Sequence, residues 1–450
     1  MADTKEIQST KDYIIEEAFI SRGKAAQLID IKNSIDNIEI YESLDKPYLT
    51  GRLFFRDDFG FFDNIRFSGT ERLELTLRHP KNTSDFIFKQ FILTSAADSE
   101  KVTEFAEMFV FEFMEEIAFL NQNMILSKSY TGNPVEIAKK IIADSLGVIV
   151  ENVSDEPFQK RMKVVVPMMH PLQAAQWVLK RATTEEGLPY YMYSSLNDKT
   201  LIIKSMKDML IEPTWNTRPF RYSRSYVQGI ENPHDEKLLY NVDKFRSGDN
   251  ESTINFVNAG TITSHYKIFD STTGRHETFK FDLKSHLARL GRDQIIPRDQ
   301  VSAFEESFQY EAPVSNATLA EHTSKAITRV IYNNTYGTEY RNYYEASNAG
   351  ELNLDAAAMA YRHIIFKNSA EFTLNGLFFL TGTNFTLGRN IDFIYPKNDG
   401  DIADKPQIAN EDLIDKKRSG RYLIYNASHL FSDGQHTVAC HGAKISNAKD

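Results

Sequence analysis

The sequence predicts an α+β chain that is mainly β, with two small antiparallel β-barrels separated by an α+β insertion. Three observations predict it. Near the amino end, "RLELTLRHP" alternates strictly, with Leu73, Leu75 and Leu77 on one side and Glu74, Thr76 and Arg78 on the other. That is the period-2 signature of a half-buried strand. The two strand-rich ends also echo each other: "LTGRLFF" at 49–55 with "LNGLFF" at 374–379, then "LELTLRHP" at 73–80 with "IDFIYP" at 391–396. In each case a polar spacer follows, then a strand, a turn and a strand. Between these ends the pattern changes to capped amphipathic helices.

Composition agrees. At about 150 residues per domain, 450 residues correspond to roughly three domains. Hydrophobic residues make up 41% of the chain and aromatic residues 12%, a load that suits pleated surfaces more than helical bundles. The formal charge of −10 disfavours sequence-independent binding to phosphate backbones and to anionic membranes. A single cysteine, Cys440, excludes an intrachain disulfide and a cysteine-cluster zinc site. The polar start "MADTKEIQSTKD" has no apolar core of a signal peptide, and no run approaches the roughly 18 apolar residues of a membrane span. The expectation is a soluble chain made in a cytoplasm.

In chain order, residues 1–16 are expected to form a polar arm and 17–125 the first barrel. "FIFKQFILTSA" and "MFVFEFMEEI" read as strands covered on both faces, with "AADSEK" among the polar residues between them. Residues 126–210 are the first part of an α+β middle domain. There "GNPVEIAKKIIADSLG" is a punctuated helix: Asn133 caps it, Pro134 fits its first turn and Glu136 completes a capping box. Val135, Ile137, Ala138, Ile141, Ile142 and Leu146 form its apolar stripe, and Gly147 stops it. A second helix starts at Pro171 and buries Leu172, Ala175, Val178, Leu179 and Ala182. "LPYYMYSSLNDKTLIIKSMKDML" reads as a hairpin turning at Asn197-Asp198. Residues 211–249 start the second barrel, with loop chemistry at "ENPHDEK" and "SGDNES". Residues 250–363 are the second part of the middle domain: a hairpin in "ITSHYKIFDSTTGRHETFKFDL", then helices in "NATLAEHTSKAITRVIYNN" and "NLDAAAMAYRHIIF". Residues 364–450 complete the second barrel. In "TGTNFTLGRNIDFIYP", Gly388-Arg389-Asn390 turns the chain between apolar positions of matching parity, and Asp433-Gly434 is a strong hairpin signal.

Catalytic chemistry is not evident. Asp57-Asp58, Glu115-Glu116 and Glu185-Glu186 are adjacent carboxylates, which point to opposite faces of a strand and not together across a cleft. His436 and Cys440 share a strand face across Val438, with His441 opposite; two ligands fall short of the three or four that zinc needs. Three copies of one of these histidines around a threefold axis would reach that number, but half-buried strand residues are the simpler reading. His79, His170, His265 and His363 lie in four separate segments and read as packing or surface residues. Trp177 reads as core, and the basic run "DKKRSGR" at 415–421 as a solvated loop. No nucleophile-elbow, zincin, phosphate-loop or dinucleotide glycine motif is present. No catalytic, cofactor-binding or metal residue is assigned.

Four stretches in order carry a family likeness: "KPYLTGRLFFRDDFGFFDNIRFSGTERLELTLRHP"; "AFLNQNMILSKSYTGNPVEIAKKIIADSLG"; "HPLQAAQWVLKRATTEEGLPYYMYSSLNDKTLIIKSMKDML"; and "FTLNGLFFLTGTNFTLGRNIDFIYP" with "SGRYLIYNASHLFSDGQHTVACHG". They span most of residues 40–445. In that order the chain resembles the baseplate hub proteins of contractile-tailed bacteriophages, related in fold to the hub part of type VI secretion spike proteins. The resemblance implies a homotrimer with two tail-tube-like barrels per subunit, hence six barrel positions in a ring. Such a ring meets a hexameric tail tube on one side and a trimeric tail spike protein on the other. Implied partners are the spike, tail tube or tube-initiator proteins and baseplate wedge proteins. Also implied are a non-enzyme without cofactors, no membrane binding, genome DNA passing through the ring without being specifically bound, and a place in the virion tail baseplate after assembly in the host cytoplasm. The alternatives are a tail-associated peptidoglycan hydrolase and the equivalent hub of a bacterial contractile injection system.

Overall fold

The computed structural model describes residues 12–22, 28–58, 60, 67–80, 82–101, 106–158, 162–196, 200–215, 218–222, 240–249, 253–270, 274, 276–306, 325–331, 341–342, 349–365, 367–376, 387–397 and 414–447. The chain opens with β1 (Ile14–Ser21), β2 (Ile29–Asp30), β3 (Ile35–Ser43), β4 (Thr50–Asp57), β5 (Arg72–His79), β6 (Asn82–Lys101) and β7 (Glu107–Glu115). A mixed stretch follows: α1 (Glu116–Gln122), β8 (Ser129–Gly132), α2 (Pro134–Leu146), β9 (Val150–Asn152), β10 (Met162–Val165), α3 (Pro171–Leu179), β11 (Tyr190–Tyr193), β12 (Leu201–Ser205) and α4 (Met206–Ile211). Next come β13 (Phe220–Arg221), β14 (Val242–Asp249), α5 (Thr253–Ala259), β15 (Thr263–Asp270), β16 (His276–Asp282), α6 (Leu283–Arg292), α7 (Arg298–Glu306), β17 (Lys325–Ile331), β18 (Arg341–Asn342) and α8 (Ala349–Ile364). The chain closes with β19 (Asn368–Asn375), β20 (Asn390–Ile394), β21 (Gly420–Ser432) and β22 (Gln435–Asn447). The fold is α+β and mainly β.

Among the described residues, strands from both ends of the chain join into one 13-stranded sheet, ordered β14-β19-β22-β21-β3-β4-β7-β6-β5-β1-β2, with β20 on β21 and β13 on β20. The long β21–β22 hairpin links its halves. The first part of β21 pairs with β20, from Phe393↔Gly420 to Asn390↔Leu423. Its second part pairs with β3, from Asn426↔Ser43 to Ser432↔Asn37. The changeover is a bulge at Tyr425, where the β21–β22 register shifts between Ile424 and Asn426. The Tyr425 carbonyl there accepts from Leu44 N–H at 3.0 Å. Such a bulge bends a strand and increases its twist, which lets one strand serve two groups. Each group also has an isolated bridge joining its outlying strands. Asp12 bridges Gln435, with Tyr13 N donating to Gly434 O at 3.1 Å, and Arg221 bridges Asn241, with Arg221 N donating to Tyr240 O at 2.9 Å. Among the described residues no continuous ladder closes either group into a barrel.

Three apolar clusters form the core. One fills the amino-terminal strand group, where Leu73, Leu75, Leu77, Phe111 and Phe113 are buried. One lies between α2, α3 and the strands beside them. The largest joins the carboxy-terminal strands to α6 and α8, with Phe372, Phe393, Leu287 and Tyr361 fully buried. Within it His286 packs near the rings of Phe281 and Tyr361, at 6.1 and 5.7 Å. Burial, and secondarily the nearby Arg289 guanidinium, push the His286 imidazole down to about 4.

Several expectations hold at residue level. Helix α2 begins at Asn133 with both halves of the capping box and stops at Gly147, whose φ is 67°. The stripe expected on it is buried. The Asp433-Gly434 turn has φ of 51° and 72°, the doubly left-handed turn that a tight hairpin favours. The two echo glycines prove to be sites of close approach. A Cβ on Gly51 would lie 2.2 Å from Glu39 O and 2.4 Å from the Phe113 ring, and one on Gly376 would lie 2.2 Å from His436 Nδ1. In each group, a ring from the neighbouring strand lies over a glycine that leaves room for it.

Other expectations are corrected. Lys325–Ile331, expected to be helical, is β17, running parallel to β15. Its Ile327, Thr328, Val330 and Ile331 are β-branched, and a neighbouring strand rewards that stiffness. "AADSEK" is no connection, since β6 runs through it, paired with β7. Ser247, Gly248 and Asp249, expected in a loop, continue β14 opposite β19. The β11–β12 hairpin forms, but "MKDML" behind it is the start of α4, capped by Ser205. The Asn197-Asp198 turn, "ENPHDEK" and residues 377–379 of the "LNGLFF" echo lie outside the described residues. Strand β1 starts at Ile14, within the stretch expected to be an arm.

Candidate functional site

The junction of the two strand groups carries the main buried polar constellation outside the turns. On β3 the apolar face runs Ile38, Ile40 and then Glu42, a carboxyl at a core position with 3% of its surface exposed. On β21 and β22 the same buried layer contains His429, Phe431, His436, Val438 and Cys440. His429 Nε2 lies 2.7 Å from Glu42 Oε1, and His429 Nδ1 lies 3.2 Å from His436 Nε2. With Nε2–H given to the carboxyl, Nδ1 becomes an acceptor and His436 donates from Nε2. The His436 ring stacks on Phe431 at 4.3 Å, and Tyr13 meets Phe431 edge-on at 5.1 Å.

The same node holds the middle of the chain. Leu196 N–H donates to Glu42 Oε1 at 3.0 Å. Next to it, Glu115 Oε1 accepts from Ser194 Oγ at 3.2 Å and pairs with Lys89 Nζ at 3.2 Å, while Lys89 Nζ donates to Ser195 O at 2.9 Å. Glu115 Oε2 takes Leu49 N–H at 2.9 Å. Residues 194–196, which leave β11, are therefore clamped by two carboxyls of the amino-terminal strands. Burying such groups is costly unless they are paired, so the pairs fix one arrangement of three chain regions.

Burial dominates the protonation of this node. Burial, and then the neighbouring His429, hold the His436 imidazole well below its ordinary range. Burial, and then the Glu42 carboxyl, push the Cys440 thiol well above its ordinary range, so it is no thiolate nucleophile at neutral pH.

The remaining sequence candidates disperse. Asp57 is buried while Asp58 is exposed and pairs with Arg56 at 3.0 Å. Glu116 pairs with Arg72 at 2.6 Å, away from the Glu115 clamp. Glu186 is buried against Lys207 at 2.6 Å, while Glu185 is exposed. His79 is buried, His265 and His363 are exposed, and His170 Nδ1 sits 2.7 Å from Met124 O at the start of α3. Trp177 is half-buried against the α2–α3 core. Lys416–Arg418 form an exposed turn before β21. Among the described residues no three histidine, cysteine, aspartate or glutamate side chains gather as a metal site, and no helix is long and apolar enough to cross a membrane. His436 was singled out from sequence, whereas Glu42, His429, Lys89 and Ser194 were not. Their signal was parity: each of Glu42 and His429 occupies an apolar-face position of an otherwise regular strand.

A solved structure shares this architecture. A tail protein from Neisseria meningitidis superposes with a TM-score of 0.51 at 11% identity, covering 96% of this chain and 97% of that one. The chain has the fold of a tail protein. The prophage MuSo2 43 kDa tail protein from Shewanella oneidensis matches with a TM-score of 0.48 at 11% identity, over 96% of this chain and 100% of that one. An Escherichia coli component of the type VI secretion system, described as similar to the T4 bacteriophage tail proteins gp27 and gp5, matches with a TM-score of 0.39 at 8% identity, over 96% of this chain and 77% of that one. The fold shared with the Neisseria tail protein is in line with the resemblance read from the sequence. No protein-family model and no curated protein matches the chain.

Proposed function

We propose that this chain is the structural hub of a phage tail baseplate, a trimeric ring of pseudo-sixfold symmetry that joins a hexameric tail tube to a trimeric central spike. The observation that carries the reading is the tail-protein fold matched end to end, and the doubled strand organisation supports it. Two strand groups, each with outlying strands bridged and each with a ring laid over an echo glycine, are read as two tail-tube-like barrels. They correspond to residues 17–125 and to 211–249 with 364–450, with 126–210 and 250–363 as the middle domain. Three copies with two such barrels present six similar positions to a hexameric tube while keeping a true threefold face for a spike. The function is symmetry matching and transmission of force, with no turnover, and the chain's place is the virion tail.

Light scattering or native mass spectrometry tests this. A particle of three times 51.6 kDa is expected, alone or with its spike. Electron microscopy of the particle should show threefold symmetry with a pseudo-sixfold ring. A monomer under all conditions, with or without the spike, refutes the hub.

A further inference from the structure

A second site lies away from the strand junction. A cleft of ≈ 420 Å³ opens between α3, β11, α8 and the turn after β3, with Trp177, Tyr191, Met169, Lys180, Arg362 and Asp45 around it. Its volume falls within the range of sites that hold small ligands or a few residues of a peptide. The floor is aromatic and aliphatic, and two cations border it. The Arg362 guanidinium sits 4.9 Å from the centre of the Tyr191 ring and spends one donor on Tyr190 O at 2.6 Å, leaving the rest of its fork for another acceptor. Lys180 adds a second, exposed cation at the rim. Against two cations the cleft presents one acidic side chain, Asp45.

From this geometry we infer that the cleft binds a peptide segment of a partner protein that carries a carboxylate beside an apolar side chain. The apolar side chain rests against Trp177 and Met169, and the carboxylate lies between Lys180 and Arg362. Charge complementarity selects the acidic group, and the aromatic floor selects its neighbour. The inference is tested apart from the oligomeric state.

The test uses the full chain and two probes, acetyl-phenylalanyl-glutamyl-leucinamide and its glutamine counterpart, which differ by one charge. Binding is followed by calorimetry and by tryptophan fluorescence, the chain having only Trp177 and Trp215. The glutamate probe should bind saturably and at least about fivefold tighter than the glutamine probe. Lys180→Glu, at an exposed position, should erase that ratio without shifting the melting midpoint. Trp177→Phe should remove most of the fluorescence response while calorimetric binding persists. Equal affinities for the two probes, no saturable binding up to millimolar concentration, a ratio unchanged by Lys180→Glu, or a response that survives Trp177→Phe would each overturn the inference.

Discussion

Replacing Glu42 by alanine should loosen the junction far more than its size suggests. The substitution leaves two buried donors without their acceptor: His429 Nε2, now 2.7 Å from Glu42 Oε1, and Leu196 N–H, now 3.0 Å from it. Each orphaned donor costs about 1–3 kcal/mol, so opening of the junction becomes easier by about 2–6 kcal/mol. At 1.36 kcal/mol per decade this is roughly a 30-fold or greater rise in the opening constant. Glu42→Gln keeps an oxygen for both donors and places its amide nitrogen at the Oε2 position, which has no partner among the described residues. It should cost less than Glu42→Ala because both donors keep their acceptor, but its own unpartnered amide N–H still costs about 1–3 kcal/mol. The assay is hydrogen exchange by mass spectrometry, read on peptides covering β3 and β21, because a chain of several cores has no single unfolding free energy. Glu42→Ala should accelerate exchange in both strands and in residues 194–196, but not in α2. Equal protection in wild type and Glu42→Ala would refute the claim that this carboxyl ties the three regions together.

Three further outcomes are expected. Gly51→Ala should lower the melting midpoint by several degrees, since its Cβ would lie 2.2 Å from a backbone oxygen that cannot swing away; Gly147→Ala, with open space around it, should show only the milder penalty of a left-handed backbone. Ile141→Ala, at a fully buried site on α2, should cost about 2–5 kcal/mol, read as faster exchange across α2 and α3 with the strand junction unaffected. Stability should fall on acidification: His286 and His436 have folded-state values below their unfolded value, so the unfolded chain binds the extra protons first. The contribution is complete above about 6.5 and is lost as pH falls from there, toward about 4 for His286. Denaturation midpoints measured from pH 7 to pH 4.5 should decline less steeply in His286→Gln.

What could be read from the sequence was local. Asn133, Pro134, Glu136 and Gly147 fix α2 through contacts a few residues long, and Asp433-Gly434 fixes its turn in the same way. Alternation in β5 also sufficed, because Leu73, Leu75 and Leu77 need only one common core. Long-range pairing decided the rest. Lys325–Ile331 becomes a strand because β15 lies beside it, and Ser247–Asp249 extends β14 because β19 offers partners. Glu42 reads as one more surface acid until His429, 387 positions away, is placed beside it. The parity of Glu42, His429 and His436 on apolar faces was visible, but not that the three meet.

The β21–β22 hairpin has a consequence for biosynthesis. Strand β3 is made early and waits for residues 426–432 before its outer edge is covered. The amino-terminal strands therefore leave the ribosome with an open flank and gain their neighbour only once residues 426–432 have followed, a contact of high sequence separation that slows folding. A product truncated before residue 420 would lack more than its last segment: it would expose a raw sheet margin in its oldest part, open to aggregation or to chaperone capture.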